Sequence, residues 1–199
     1  VAHTLEVVAT LGENSAESMK DLTSELIRLG QNGPRGPLEI AEAFKTLSLA
    51  GLDANKILAV TGTVLNFSTS GTTSLQTAAD VLVSVTTAFG TGAAGFERSA
   101  DIITRAAADS EASVESFGEA MKTASVAGEQ YGAKQEDVAL LIQLLAQVGI
   151  QGSAAGTSVR NMYADITGRS GQVGKILESL KLDFKDLDGN VVSTVEQMR

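Results

Sequence analysis

The chain has no cysteine, no tryptophan, a single histidine (His3), two prolines and only 4% aromatic residues. Each shortage closes off a class of chemistry. Without cysteine there is no disulfide, thiolate metal site or thiol nucleophile. One histidine removes His-pair metal sites, and His3 beside Glu6 supplies too few ligands to hold an ion. No nucleophile, base and orienting group fall together anywhere, so no catalytic residue, metal or cofactor is expected. Basic clusters are missing too. Lys and Arg number 15 against 24 Asp and Glu, giving a net charge of −9. Without a basic stripe, direct nucleic-acid binding is not expected. The longest apolar run, "VALLI" at 138–142, stops at Gln143, so membrane contact is not expected from this segment. No secretory signal pattern is visible. The chain starts in mid-pattern at Val1 and ends on a charged Met-Arg, which reads as a piece of something longer.

What is present is helix. Two prolines in 199 residues leave long helices unbroken. A hydrophobic fraction of 43% that is poor in aromatics favours cores of Ala, Leu and Val, hence close helix–helix packing. Ser15 is an N-cap for a stripe of Met19, Leu22, Leu26 and Leu29, spaced by three and four. "GQNGPRG" at 30–36 is the clearest break, and Pro37 suits a first helical position. Ile40, Phe44 and Leu47 follow. Asp53 caps a stripe of Ile57, Val60 and Val64. Leu75, Ala78, Ala79 and Leu82 share the next face, and Phe96 and Ile103 the one after. Ser113 caps Val114, Phe117, Met121 and Ala124, with Glu115 and Glu119 suiting the helix dipole. Residues 135–148 are apolar nearly all round, which predicts a central buried helix. One more helix passes through Met162 and Ile166, and a short one covers 173–180.

The ending differs. In "LDFKDLDGNVVS" the pair Asp188 and Gly189 predicts a turn and a small β-hairpin over 182–192, with a truncated helix from Ser193. The fold class is therefore all-α, an array of antiparallel helical hairpins with about eight to ten helices and one β-hairpin near the C-terminus. The expected organisation is an N-terminal helical segment and linker (1–36), a helical core (37–181), and the hairpin with the helix start (182–199). A weak period supports the array: Gly51, Gly90 and Gly132 each precede a polar turn, at spacings of 39 and 42 that suit a two-helix unit.

One stretch invites a ligand. "VGIQGSAAGTSVRNM" places Gly149, Gly152 and Gly156 ahead of a Thr-Ser pair and Arg160. A phosphate-binding P-loop needs a lysine after its last glycine and a strand before its first, and both are missing here. The dinucleotide spacing is missing as well. Packing fits each residue better. Gly149 ends the preceding helix in the left-handed region, Ile150 covers that end, and Ser153 caps the next helix. Ala154, Ala155 and Gly156 let that helix approach a neighbour closely. A mid-helix glycine costs on the order of 1 kcal/mol against alanine, and tight packing is the simplest compensation. Arg160, one turn on, suits a helix-end carbonyl or a carboxylate. "DFKDLDGN" has a calcium-loop look. With Gly189 in sixth place, however, Phe184 and Val195 fall at the first and twelfth positions, where ligands are required.

The order of motifs resembles the core region of phage tail tape-measure proteins. The residues that carry the resemblance are "TLSLAGLDANKIL", "TSLQTAADVLVSVTTAFG", and the long run from "FERSADIITRAAADSEASVESFGEAMKTASVAGEQYG" through "AKQEDVALLIQLLAQVGIQGSAAGTSVRNM". The small helix and "LDFKDLDGNVV" follow in the same order, and the resemblance as a whole covers roughly 38–192. Ala155 to Arg160, A-G-T-x-x-R, is the most specific short piece, with Val159 a mild departure. The resemblance implies a virion or prophage structural protein that acts in tail assembly and tail-length determination, lies in the tail lumen and is made in the bacterial host cytoplasm. The partners it implies are the tail tube, tail-tip or baseplate proteins, tail assembly chaperones, or further copies of the chain. It carries over no catalytic residue. The competing reading is a non-catalytic helical interaction module of the solenoid or adaptor kind.

Overall fold

A computed structural model describes residues 1–11, 14–33 and 35–168. Among these the chain is all-helical, with nine α-helices and one short 3-10 segment. They are α1 (Ala2–Leu11), α2 (Ala16–Asn32), α3 (Pro37–Leu49), α4 (Ala54–Ser70), α5 (Leu75–Ala88), the 3-10 turn (Gly92–Gly95), α6 (Phe96–Ala108), α7 (Val114–Gln130), α8 (Gln135–Gln147) and α9 (Gly152–Gly168). The expected β-hairpin at 182–192, with Asp188 and Gly189 at its turn, lies outside the described residues, as do the short helix over 173–180 and the helix from Ser193.

The helix starts follow from local chemistry. Ser15, Asp53 and Ser113 each accept the N–H three residues on, from Ser18, Lys56 and Ser116. Pro37 occupies the first turn of α3, where its missing N–H costs nothing. The ends are as regular. α3, α7 and α8 finish in Schellman motifs, with Gly51, Gly132 and Gly149 in the left-handed region. Gly90, the remaining glycine of the sequence period, is left-handed as well and follows the end of α5.

Contacts divide the chain into two compact units. The first comprises 1–87 and 91–100. Within it α3 packs against α1, α2 and α4, and α2 packs against α4. Leu22, Leu26, Phe44, Leu47, Ile57 and Val64 form its core, each at most 2% exposed. Burial of side chains of this size is worth about 1.5–3 kcal/mol each. Asn14 ties two helices into this core: its amide donates to the Val8 carbonyl at 2.9 Å, and its carbonyl accepts the Ala54 N–H at 2.8 Å.

Among the described residues the second unit comprises 88–90 and 101–168. Its helices α7, α8 and α9 pack on one another, most extensively α7 on α9. α8 departs from expectation. Val138, Ala139, Ile142 and Ala146 are buried, but Leu144 is 44% and Val148 71% exposed. Among the described residues its partners α7 and α9 cover one side, so a helix apolar all round presents its other side outward.

Candidate functional site

The glycine-rich stretch forms the junction between α8 and α9. At the end of α8 the Ile150 N–H donates to Leu145 O at 2.9 Å and the Gly149 N–H to Ala146 O at 3.0 Å. This double bond pattern requires a left-handed residue between, and Gly149 supplies it at φ +81°. Three residues later Gly152 is left-handed again, at φ +60°. That second turn brings the chain into α9 two residues earlier than the sequence suggested. Gln151 O accepts the first helical bond, from Ala155 at 3.4 Å, and Ser153 lies exposed in the first turn instead of at the cap. The Gln151 amide donates to Glu111 O at 3.3 Å, which pins the junction to the segment before α7.

From here α9 lies against α7 along Ala155, Gly156, Val159 and Tyr163, all buried. A Cβ at Gly156 would stand 2.5 Å from Ala120 O and 2.7 Å from Thr123 Cβ. Helix backbone meets helix backbone there, with no flexible side chain that might give way. At Gly152 the space is ordinary, 3.5 Å from Ser116 Oγ. α7 contributes its own small residue, Gly128, where a Cβ would meet Val138 Cγ2 at 2.4 Å. Arg160 points away from this face and is exposed. No carboxylate or carbonyl among the described residues receives its guanidinium.

Two features were missed by reading the sequence. The first is Tyr163, one turn past Arg160, which is 1% exposed and stacked on Tyr131 with ring centroids 6.3 Å apart. Burial, and then the Asp137 carboxylate, push its phenol up to about 12. Its position seven residues after Gly156 continues the small-residue face, and that spacing was the available signal. The second lies in the first unit. Arg35 holds Glu39 Oε1 at 2.8 Å through one terminal nitrogen. Through the other it reaches Ser68 Oγ at 2.8 Å and Thr73 O at 2.9 Å. Glu39 Oε1 also accepts the Leu75 N–H at 3.1 Å, which caps α5 from a distance. The clasp closes around Thr72, a β-branched residue at φ +52°. Nothing in this arrangement activates a nucleophile. What it can do is fix the end of α4 against the start of α5. In the second unit α8 ends in exposed apolar residues, Leu144, Val148 and Ile150.

Comparison with known proteins agrees with a structural reading. A family described as phage-related minor tail protein matches residues 23–199. The chain is 28% identical over 191 residues to a tape measure protein of Pneumococcus phage Dp-1, covering 96% of this chain and 17% of that protein. It is 24% identical over 186 residues to a probable tape measure protein of Escherichia phage P2, covering 94% of this chain and 23% of that one. The chain thus spans less than a quarter of the length of either relative. No solved structure matches it. With a match running through nearly its whole length, the chain belongs to the phage-related minor tail protein family.

Proposed function

We propose that this chain is a structural region of a tape-measure protein, working in tail assembly and in the setting of tail length. The observation that carries the reading is the alignment of more than nine-tenths of the chain with two proteins named for that role. The geometry supports a scaffold: helix ends fixed by caps and glycines, and close backbone contact at Gly156. The finer expectations rest on the same reading. These are an array of antiparallel hairpins, a helical core over 37–181, and a place in the tail lumen after synthesis in the host cytoplasm.

The partners expected are the tail tube, tail-tip or baseplate proteins, assembly chaperones, or further copies. The surface that best suits them is the end of α8. Leu144, Val148 and Ile150 are exposed there, within a stretch, 138–159, that carries no charged residue in a chain of net charge −9. A partner meeting this surface buries apolar area without desolvating a charge. The test is made in the phage that encodes the protein. Leu144→Ser with Val148→Ser should leave the isolated chain folded but reduce the yield of complete tails in electron micrographs. In-frame shortening of the parent protein outside this region should give shorter tails. Tails of unchanged length after that shortening would defeat the length-setting role.

A further inference from the structure

α8 carries an apolar stripe that its partners leave open. Leu141, Leu144, Leu145 and Val148 follow the i, i+3, i+4, i+7 spacing of one helix face. Leu144 and Val148 are exposed, and Leu141 and Leu145 are only half-buried. Among the described residues α7 and α9 pack on the other side of α8, along Val138, Ala139, Ile142 and Ala146. The open stripe lies within a stretch, 138–159, that has no charged residue. It is a seat for another apolar helix face.

The chain itself supplies such a face. Val173, Ile176, Leu177 and Leu180, outside the described residues, repeat the same spacing over the same length. The charged residues of that stretch, Lys175 and Glu178, fall between the apolar positions. A helix this short does not hold alone, since isolated helices under about 12–15 residues are marginal in water. Gly174 weakens it further. It needs an apolar surface to fold on. Charge favours its own chain as that surface: 169–181 has Arg169, Lys175 and Lys181 against Glu178, in a protein of net charge −9.

The path of α9 brings the two stripes together. α9 begins just past the end of α8 and runs back toward its start. By Tyr163 it has arrived there: a Cβ at Gly128 would meet both Val138 Cγ2 and, at 3.7 Å, Tyr163 Cε2. Gly168 ends α9 little more than one turn later. From that point, a return to the level of Leu141 on the neighbouring helix needs about 15 Å. The five Cα steps from Gly168 to Val173 span up to about 17 Å. A segment 173–180 that turns back after α9 therefore meets the open stripe running parallel to α8.

We propose that residues 173–180 dock as a short helix on Leu141, Leu144, Leu145 and Val148 and form a displaceable cover over the end of α8. A tail partner that uses this surface, on the function proposed above, gains it by displacing the cover. The docking itself is a property of the isolated chain and does not rest on that reading. The chain has no tryptophan and no cysteine, so single reporters are unambiguous. In the 199-residue chain, Leu177→Trp should give blue-shifted emission and an indole shielded from acrylamide. Adding Leu144→Ser with Val148→Ser should shift the emission to the red and raise quenching to that of a free indole. Adding Ile27→Ser, at an exposed residue of the first unit, should change neither. A second measurement covers the case in which the serines disturb α8. Leu144→Cys with Leu177→Cys should close a disulfide within one chain on mild oxidation of a dilute sample. Val126→Cys with Leu177→Cys, which starts from an exposed position on α7, should not. An indole already open to acrylamide before the serines are added overturns the proposal, as does one that stays shielded after them. Disulfides formed only between chains also overturn it and give the stripe to a second copy. None of these outcomes measures tails, so failure here leaves the role in tail assembly standing.

Discussion

Gly156 and Thr72 show opposite errors of fit between side chain and backbone. At Gly156 the α7 backbone lies 2.5 Å from where a Cβ would be, so α9 must move for any residue but glycine. Gly156→Leu should destabilise the chain by about 1–3 kcal/mol, the usual cost of overpacking. Gly156→Ala should already lower the thermal midpoint. An unchanged midpoint for both would show that α9 docks without the close contact. Thr72 has the reverse problem. It occupies a left-handed position at φ +52° that glycine fills in the other Schellman turns. Left-handed geometry costs a residue with a Cβ roughly 1–2 kcal/mol. Glycine gives back about half of that through the greater freedom of the unfolded chain. Thr72→Gly should therefore raise stability by somewhat under 1 kcal/mol in urea titration. A loss would mean that the threonine side chain contributes something its conformation conceals. The sequence does place a glycine in that turn, but at Gly71, one residue too early.

At the scale of elements, what could be read from sequence was what is local. Caps at Ser15, Asp53 and Ser113, Pro37 at a helix start, and apolar stripes on α2 to α5 all depend on neighbours within four residues, and the structure has them there. The start of α9 was misjudged because a second left-handed glycine, Gly152, replaced the side-chain cap. The Arg35 clasp was illegible for a different reason. Its partners Ser68 and Thr73 are 33 and 38 residues away, and no local pattern marks an arginine that will meet them. The site at Gly156 lay between these cases. Its small residues advertised a close approach, but the partner, Ala120 and Thr123 on α7, belonged to another helix. The clasp makes its own prediction. Arg35 fixes the end of α4 and the start of α5 through a planar fork with two separate aims. Arg35→Lys keeps the charge and loses the fork. It should cost about 1–3 kcal/mol, as for hydrogen bonds to a charged group. Amide exchange should quicken at Thr73 and Leu75. Exchange unchanged at both amides would show that the turn holds without the clasp.

For the whole molecule, composition decided more than any motif. The lack of cysteine and the scarcity of histidine and aromatics left helices packed through Ala, Val and Gly, and the described residues are helical throughout their regular structure. What composition could not indicate was where stability would depend on pH, because that is set by burial. On the acid side the lowered groups are Asp53, bonded to Lys56, and Glu25, bonded to Arg28. Both lie near the surface, where solvent screens them. Their contribution is present above the ordinary carboxylate range and fades only as pH falls through it. The alkaline side is different. Tyr163 is held up to about 12 against an ordinary 10.0, because the folded chain resists charging a buried phenol beside Asp137. A raised value means that the neutral form is favoured in the folded state. The stability is therefore complete below pH 10 and drains away as pH rises toward 12, since the unfolded chain ionises first. The loss over that window is at most about 3 kcal/mol. Tyr163→Phe removes the titrating group and keeps the ring stacked on Tyr131. Urea midpoints measured from pH 9 to pH 12 should fall steeply for the parent chain and more gently for Tyr163→Phe, with the two curves parallel on the acid side. Curves that stay parallel through pH 12 would show that the phenol ionises freely in the folded chain, and that α9 does not seal it against α7.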